Sequence, residues 1–422
     1  MSSAKSNLAK RIVVIGGGPA GMIAAGTAAK YGARVILLEK NNRLGKKLGI
    51  TGNGRGNLTN NERDMRSFIS AYGKPGKFLY SAITAFSNQD TIRFFELLGV
   101  STKTESDGRV FPKSDKASDI ITALHRYLIQ KNVQIEFNTQ VSQILIKANQ
   151  IIAVKTDDGL SFPADAVILS TGGKSYSVTG STGDGFRFAQ DFGIKVNPLH
   201  PALVPLEVGE SWVKKLQGVT LQNVCLTILH NDKIIERYSE DLVFTHFGIS
   251  GPAALNSSEL IGKLLAKGQV FISIDLLPQF STEQLDVLLQ IHFRKYPSRE
   301  IQNTLVDFFP KKLALIFAQL AEISPQKPVS QLVKSERILL GKTIKDLRVT
   351  ATHLRPLEEA MVTAGGIAIS EINPKTMESK RIQGLYFAGE VIDITGKSGG
   401  YNLQMAFSTG YISGLTSAKR NS

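Results

Sequence analysis

The stretch from residue 12 to residue 39 constrains this chain more than any other. Ile12-Val13-Val14-Ile15 is an unbroken β-branched run, followed by Gly16-Gly17-Gly18-Pro19-Ala20-Gly21 and an Ala-rich segment reaching Tyr31. A second apolar run, Val35-Ile36-Leu37-Leu38, ends on Glu39. This order predicts strand, tight turn, helix, strand and acid, with glycines 16, 18 and 21 in the G-x-G-x-x-G spacing. A dinucleotide needs that arrangement. The glycines let the main chain close on a pyrophosphate, whose charge sits at a helix N-terminus, and the acid accepts hydrogen bonds from the adenosine ribose. Gly16, Gly18, Pro19, Ala20, Gly21, Glu39 and Lys40 are therefore expected at the cofactor, in an α/β domain with a parallel Rossmann-like sheet.

Two later segments complete the pattern. Gly384-Leu385-Tyr386-Phe387-Ala388-Gly389-Glu390 reads as a strand ending in a glycine-acid pair, and Gly399-Gly400-Tyr401-Asn402-Leu403-Gln404 opens an apolar helix toward Gly414. Together they resemble the second signature of two-dinucleotide-fold flavoproteins. That likeness implies an acid on the ribityl or pyrophosphate part of FAD and a helix aimed at the flavin pyrimidine ring. A positive helix end there would stabilise the charge of reduced flavin. Most such proteins carry Asp at the position of Glu390. Ala166-Val167-Ile168-Leu169-Ser170-Thr171-Gly172-Gly173 looks like the small-residue strand end beside the adenosine half, bringing in Thr171 and Gly172. FAD, not NAD, is the expected resident cofactor.

With 422 residues, the chain exceeds what one core usually supports. Its single cysteine, Cys225, excludes a disulfide framework, a Cys-x-x-Cys redox pair and a zinc cluster, and falls in what reads as a core strand. No apolar run approaches a membrane span, and Ser2 to Lys10 is no secretory signal, so a cytoplasmic location is expected. Net charge is +14, and it is uneven: residues 1–56 hold ten basic residues and one acid, and residues 291–355 hold twelve and five. Those two regions are candidate contacts for an anionic partner such as a nucleic acid, set against a merely basic surface.

Leu44 through Asn60 is too rich in Gly, Asn and Thr to pack a core and reads as a loop following a ligand or a neighbouring backbone. An amphipathic helix is expected over 117–131, with strands through Val133–Phe137, Val141–Ile146 and Ile151–Thr156. Short alternating strands follow from about Pro198 to Ser273, helices over 281–321, and strands again near Arg348. The expected organisation is an FAD domain (1–197 and 362–422) interrupted by a β-rich domain (198–275 and 336–361) with a helical insert (276–335).

The segments Thr51 through Asn60, Gly108-Arg109-Val110-Phe111-Pro112, Phe244 through Pro252 and Gly384 through Phe407 resemble the YhiN/BaiN-like family of bacterial flavoproteins along essentially the whole chain. The family usually has Cys where this chain has Gly56, and often Lys or Gly in place of Asn53. The resemblance implies an FAD domain interrupted by a β-barrel-like domain and a helical insert, and an FAD-dependent oxidoreductase with Gly45, Lys46, Thr51, Gly52, Asn53, Gly54, Asn57, Val141, Gly389, Glu390, Gly400, Tyr401, Asn402 and Leu403 among its cofactor contacts. Activities attached to such proteins are reduction of conjugated C=C bonds in steroid enones, amine oxidation, and dihydrouridine formation in ribosomal RNA. The expected reaction is hydride transfer from reduced flavin to a conjugated C=C bond, with ribosomal RNA uridine favoured over a small molecule. An FAD-loaded binding protein without turnover is the alternative from outside the enzymes. Arg55 is the candidate cation for a substrate carbonyl or the flavin edge, and His246 the candidate proton donor. No second G-x-G-x-x-G follows a strand, so NADH or NADPH would visit the flavin transiently.

Overall fold

The computed structural model describes residues 9–419, so residues 1–8, where the first basic region begins, lie outside the described residues. The chain forms two units, residues 1–200 with 361–422, and residues 201–360.

The first unit is built on a five-stranded parallel sheet. Its spatial order is Leu385–Phe387, Ala166–Leu169, Arg11–Ile15, Arg34–Leu38 and Gln134–Glu136. Ile12, Val13, Val14 and Ile15 are all buried, as expected of a strand covered on both faces. The helix Pro19–Lys30 packs on the last helix, Tyr401–Ala418. The two approach closely: a Cβ on Gly410 would lie 2.4 Å from the Ala20 carbonyl oxygen, and one on Gly414 2.4 Å from that of Ala24. Small residues on both helices therefore set the spacing. The segment read as a loop from Leu44 to Asn60 does contain local structure. A 3-10 turn spans Leu48–Ile50, and Thr59–Asn60 pairs with Arg109–Pro112, which also pairs with Thr102–Thr104. The amphipathic segment forms the helix Ala117–Gln130, and the strands beyond it span Gln134–Glu136, Val141–Lys147 and Gln150–Thr156.

The second unit holds a closed six-stranded antiparallel barrel: Leu206–Val208, Gly248–Ser250, Lys233–Phe244, Thr220–His230, Val270–Asp275 and Leu347–Leu354 in spatial order. Alternation along Val270–Asp275 buries Val270, Ile272 and Ile274 in its core. Two features differ from the sequence expectation. Residues Pro252–Leu265 form a helix inside the segment read as strands, started by Gly251-Pro252, a glycine at positive φ followed by proline at the first helical position. The helical part also continues past residue 335, because Lys334–Lys345 is a helix whose Glu336 carboxylate accepts a hydrogen bond from the Val333 amide. No helix among the described residues is long and apolar enough to cross a membrane.

Candidate functional site

The first glycine turn is shaped by contacts as much as by conformation. Gly16 adopts φ +103°, and a Cβ there would lie 2.6 Å from the Ser170 carbonyl oxygen. A Cβ on Gly21 would meet the Gly16 carbonyl oxygen at 1.9 Å. Gly18 is different, since a Cβ there would meet no protein atom within 4 Å. The helix that begins after Gly18 has Pro19 at its first position, no side-chain cap and no acid in its first turn. Its positive end therefore faces open space, which is where a pyrophosphate would be stabilised.

Glu39 is buried at the end of its strand. One carboxylate oxygen accepts from the Gly17 amide (2.7 Å), the other from the Asn41 amide (2.8 Å) and side chain (2.6 Å). Lys46 donates to Asn41 Oδ1 at 2.8 Å, while Lys40 turns to Asp184 at 2.7 Å. Gly45 holds the following loop on the turn through its amide, 3.0 Å from the Gly17 carbonyl.

The second acid is satisfied differently. Glu390 accepts from Lys47 Nζ (2.8 and 3.0 Å), Ser175 Oγ (3.2 Å) and the Thr363 amide (2.9 Å). Gly389, at φ +75°, donates its amide to Thr409 Oγ1 at 2.9 Å. Lys47, Ser175 and Thr363 were not singled out from the sequence. Lys47 did lie in the Gly-rich loop, but nothing in the sequence says which lysine of that loop meets which acid.

The last helix starts at Gly400 (φ +101°), again without a side-chain cap or an acid in its first turn. A Cβ on Gly400 would lie 2.4 Å from the Thr59 carbonyl oxygen. In the amide orientation that satisfies both ends, Asn57 accepts from the Gly400 amide (2.9 Å) and donates to the carbonyls of Val110 (3.2 Å) and Thr59 (3.1 Å). Asn57 thus braces this helix start. Asn402 braces it too, bonding the Gly396 amide and carbonyl at 2.9 and 2.8 Å. The Tyr401 ring packs on Phe68, its carbonyl accepts from Tyr72 Oη at 2.8 Å, and Leu403 is half-buried against the neighbouring apolar core. Two hydroxyls, Thr59 Oγ1 and Thr171 Oγ1, are buried with no hydrogen-bond partner among the described residues. Such groups need a partner.

The rest of the Gly-rich loop is laid over this frame. Thr51 Oγ1 donates to the Lys47 carbonyl, Gly52 and Gly54 take positive φ, and exposed Asn53 does the same at φ 57°. Gly172 sits at φ +75° with its open side toward Ser181. Val141 is 5% exposed within an apolar core cluster, so its side chain packs rather than presenting a polar contact.

The Arg55 guanidinium sits over Phe111, 4.0 Å from the ring centroid, and pairs with Glu105 and Asp115 at 2.5 and 2.9 Å. Arg109 pairs with Glu105 and Asp107, and Lys103 with Asp115. A hydrogen bond from Arg55 holds the Glu105 carboxyl below the usual carboxylate range. Hydrogen bonds from Lys103 and then Arg55 do the same for Asp115. Three cations face three anions here, so Arg55 is a fixed plane in a balanced network and not a mobile hook. His246 belongs to the second unit. It is exposed in the turn between Lys233–Phe244 and Gly248–Ser250, with its ring edge-on to Phe247. Cys225 is half-buried in the barrel strand Thr220–His230.

Open space at Gly18, two uncapped helix starts, one buried and one half-buried acid, and two unpartnered hydroxyls together fit a dinucleotide running from the Gly16 turn toward Gly400. Comparison with known proteins agrees. The family described as "HI0933-like protein Rossmann domain" matches residues 10–416. The chain is 34% identical to 3-dehydro-bile acid delta(4,6)-reductase of Clostridium scindens over 413 residues, covering 97% of this chain and 99% of that protein. It is 31% identical to the ribosomal RNA dihydrouridine synthase of Escherichia coli K12, covering 94% and 96%. Among solved structures, the 3-ketosteroid-delta4-(5alpha)-dehydrogenase of Rhodococcus jostii RHA1 shares the fold across 99% of both chains, with a TM-score of 0.53 at 15% identity. A flavocytochrome c3 fumarate reductase does so over 98% of this chain and 79% of its own, with a TM-score of 0.52 at 18% identity.

Proposed function

The chain belongs to the HI0933-like family of FAD-dependent oxidoreductases, and on that footing we propose that it reduces a C=C bond conjugated to a carbonyl, with uridine in ribosomal RNA as substrate. The observation that carries the chemistry is shared by its relatives. The dihydrouridine synthases and the bile-acid reductase are each named for saturating a double bond, in a pyrimidine ring or a steroid ring. In uracil and in an enone, the carbon β to a carbonyl is electron-poor and accepts hydride. Bound FAD would supply that hydride, from NADH or NADPH as the source of electrons.

The chain's own residues have four tasks in this reading. The helix starts at Gly18 and Gly400 stabilise negative charge on the cofactor's pyrophosphate and ring ends. Glu39 and Glu390 hold the turns around it. Arg55, fixed over Phe111, offers a flat cationic face against which a planar conjugated ring can lie. The α carbon takes up a proton as the β carbon accepts hydride, and His246 is the donor the sequence reading nominates, on its turn in the second unit. Hydride plus proton converts C=C to CH–CH, and the two-electron balance closes on the oxidised cofactor.

The experiment is to delete the gene in the source organism and quantify dihydrouridine in digested ribosomal RNA by mass spectrometry. Loss of a dihydrouridine, restored by the intact gene and not by an Arg55→Ala copy, supports the reading. An unchanged level sends the same hydride chemistry to steroid-like enones, assayed by anaerobic reoxidation of the reduced flavin.

A further inference from the structure

The structure redistributes the positive charge that the sequence displays. In residues 291–355, six of the twelve basic residues are in ion pairs: Arg299 with Asp307, Lys327 with Glu336, Arg337 with Asp286, Lys345 with Asp275, Arg348 with Asp346, and Arg355 with Glu207 and Glu359. In residues 1–56, Arg11, Lys40, Lys47 and Arg55 are likewise paired. By unit the contrast is sharper. Residues 201–360 hold 18 basic and 17 acidic side chains, a net of +1, and the remainder of the chain holds 32 and 19, a net of +13. The uncompensated charge therefore belongs to the unit with the FAD fold.

Within that unit, one group of cations stands together outside the ion-pair network. Arg63, Arg66, Lys74, Lys77 and Lys397 are all exposed, and none forms an ion pair among the described residues. Four of them lie within fifteen residues, and Lys397, distant in sequence, is joined to their segment in the structure. The Lys397 amide donates to the Ala71 carbonyl at 3.0 Å, Tyr72 Oη donates to the Tyr401 carbonyl at 2.8 Å, and a Cβ on Gly396 would lie 2.8 Å from the Tyr72 ring. Phe68, Tyr72 and Tyr401 form the aromatic floor beneath, with ring centroids 5.0 to 6.2 Å apart. Two acids lie nearby, and the Asp64 carboxylate also feels the Arg66 charge, which leaves the patch a net +3. Asp64 caps the helix Met65–Ser70 through the Ser67 amide, and Glu62 accepts from the Asp64 amide. Tyr80, 56% exposed just beyond Lys77, adds an open aromatic face.

We infer that this patch binds the phosphate backbone of the RNA that brings its uridine to the flavin. The inference rests on the substrate reading above and names where on the chain the RNA lies. Lys397 stands three residues before Gly400, the helix start assigned to the flavin ring. Unpaired cations attract phosphates and release counterions, and an exposed tyrosine stacks on any base, which is the combination used for single-stranded RNA. A bile-acid steroid, with one carboxylate, would engage one such cation and not five.

The test compares two holoenzyme variants that lose equal charge. One is Arg63→Gln, Arg66→Gln, Lys74→Gln, Lys77→Gln and Lys397→Gln. The control carries Gln at Arg294, Lys295, Lys311, Lys334 and Lys342, exposed cations of the second basic stretch. FAD absorbance and the rate of flavin reduction by NADH show that both are folded and loaded. The probe is protein-free ribosomal RNA from the deletion strain, in filter binding between 50 and 200 mM salt. If all five cations meet phosphates, the natural protein should lose about 100-fold in affinity across that range, with a salt slope of about −3.5. The patch variant should lose most of that slope and its dihydrouridine formation, and the control should keep both. Equal weakening by the two variants, or a patch variant that binds RNA normally, overturns the inference. So does RNA-independent binding of the patch to phosphatidylglycerol vesicles. If the natural protein forms no dihydrouridine in this RNA, the substrate reading itself fails, and that result is read separately from the binding curves.

Discussion

Glu39 and Glu390 end two strands of one parallel sheet, each beside a glycine-headed helix, and the protein satisfies them by different means. Glu39 is held by backbone and amide N–H groups from Gly17 and Asn41. Glu390 is held by a lysine, a hydroxyl and one backbone amide. The first arrangement is local, from residues within 22 positions, and it is written into the turn itself. The second gathers residues 47, 175, 363 and 390, so it exists only once the unit has folded. One acid shapes a turn, and the other ties four distant segments together.

The largest effect should come from the turn. Gly21→Ala drives a Cβ to 1.9 Å from a backbone oxygen that cannot move independently, and overpacking of this kind should cost about 3 kcal/mol or more. Loss of soluble, FAD-loaded protein is the expected result. Gly18→Ala sharpens the point because its Cβ meets no protein atom. It should leave unfolding by urea unchanged without cofactor while weakening FAD by about 10-fold, about 1.4 kcal/mol, in a fluorescence titration. Equal losses of stability from both variants would break the assignment of open space to the ligand.

Glu39→Ala should come next. It strands the buried Gly17 amide, a loss of about 1–3 kcal/mol in urea unfolding. Lys47→Met tests the other acid by a double-mutant cycle with Glu390→Gln. The single lysine variant should be worse than the pair, with a coupling of about 0.5–3 kcal/mol. Additivity would show that the two side chains do not depend on each other.

The smallest effect concerns Arg55. Glu105 and Asp115 titrate below their ordinary range because they accept hydrogen bonds from Arg55 and, for Asp115, Lys103. A carboxylate depressed in the folded state contributes stability that is present above its unfolded pKa, about 4, and lost as pH falls through the lower folded value. Arg55→Gln should therefore matter at pH 7 and cease to matter in strong acid. Carboxyl chemical shifts followed by NMR would show both groups moving back up in the variant.

Much of this was legible in the chain. The strand-turn-helix-strand unit was readable because a parallel strand, a glycine turn and a helix start each leave a local mark within a few residues. The Gly-acid strand end at Gly389 and the helix start at Gly400 were readable for the same reason, as was the antiparallel sheet of the second unit, from its alternation. Where a signal was present and overlooked, it was also local: Gly251-Pro252 marks the start of the helix Pro252–Leu265. Other features had no local mark at all. Lys47 on Glu390, Asn57 on the amide of Gly400, and Arg55 pinned between Glu105 and Asp115 join residues up to 343 positions apart. The two basic stretches look alike as sequence, yet ion pairing neutralises half of one and leaves the free charge elsewhere. Sequence by itself determined the glycine turns and helix starts of the first unit, because glycines and helix ends act within one turn of chain. Only the tertiary structure decided which charges are paired and which face solvent, because pairing depends on which distant side chains the fold brings within hydrogen-bond reach.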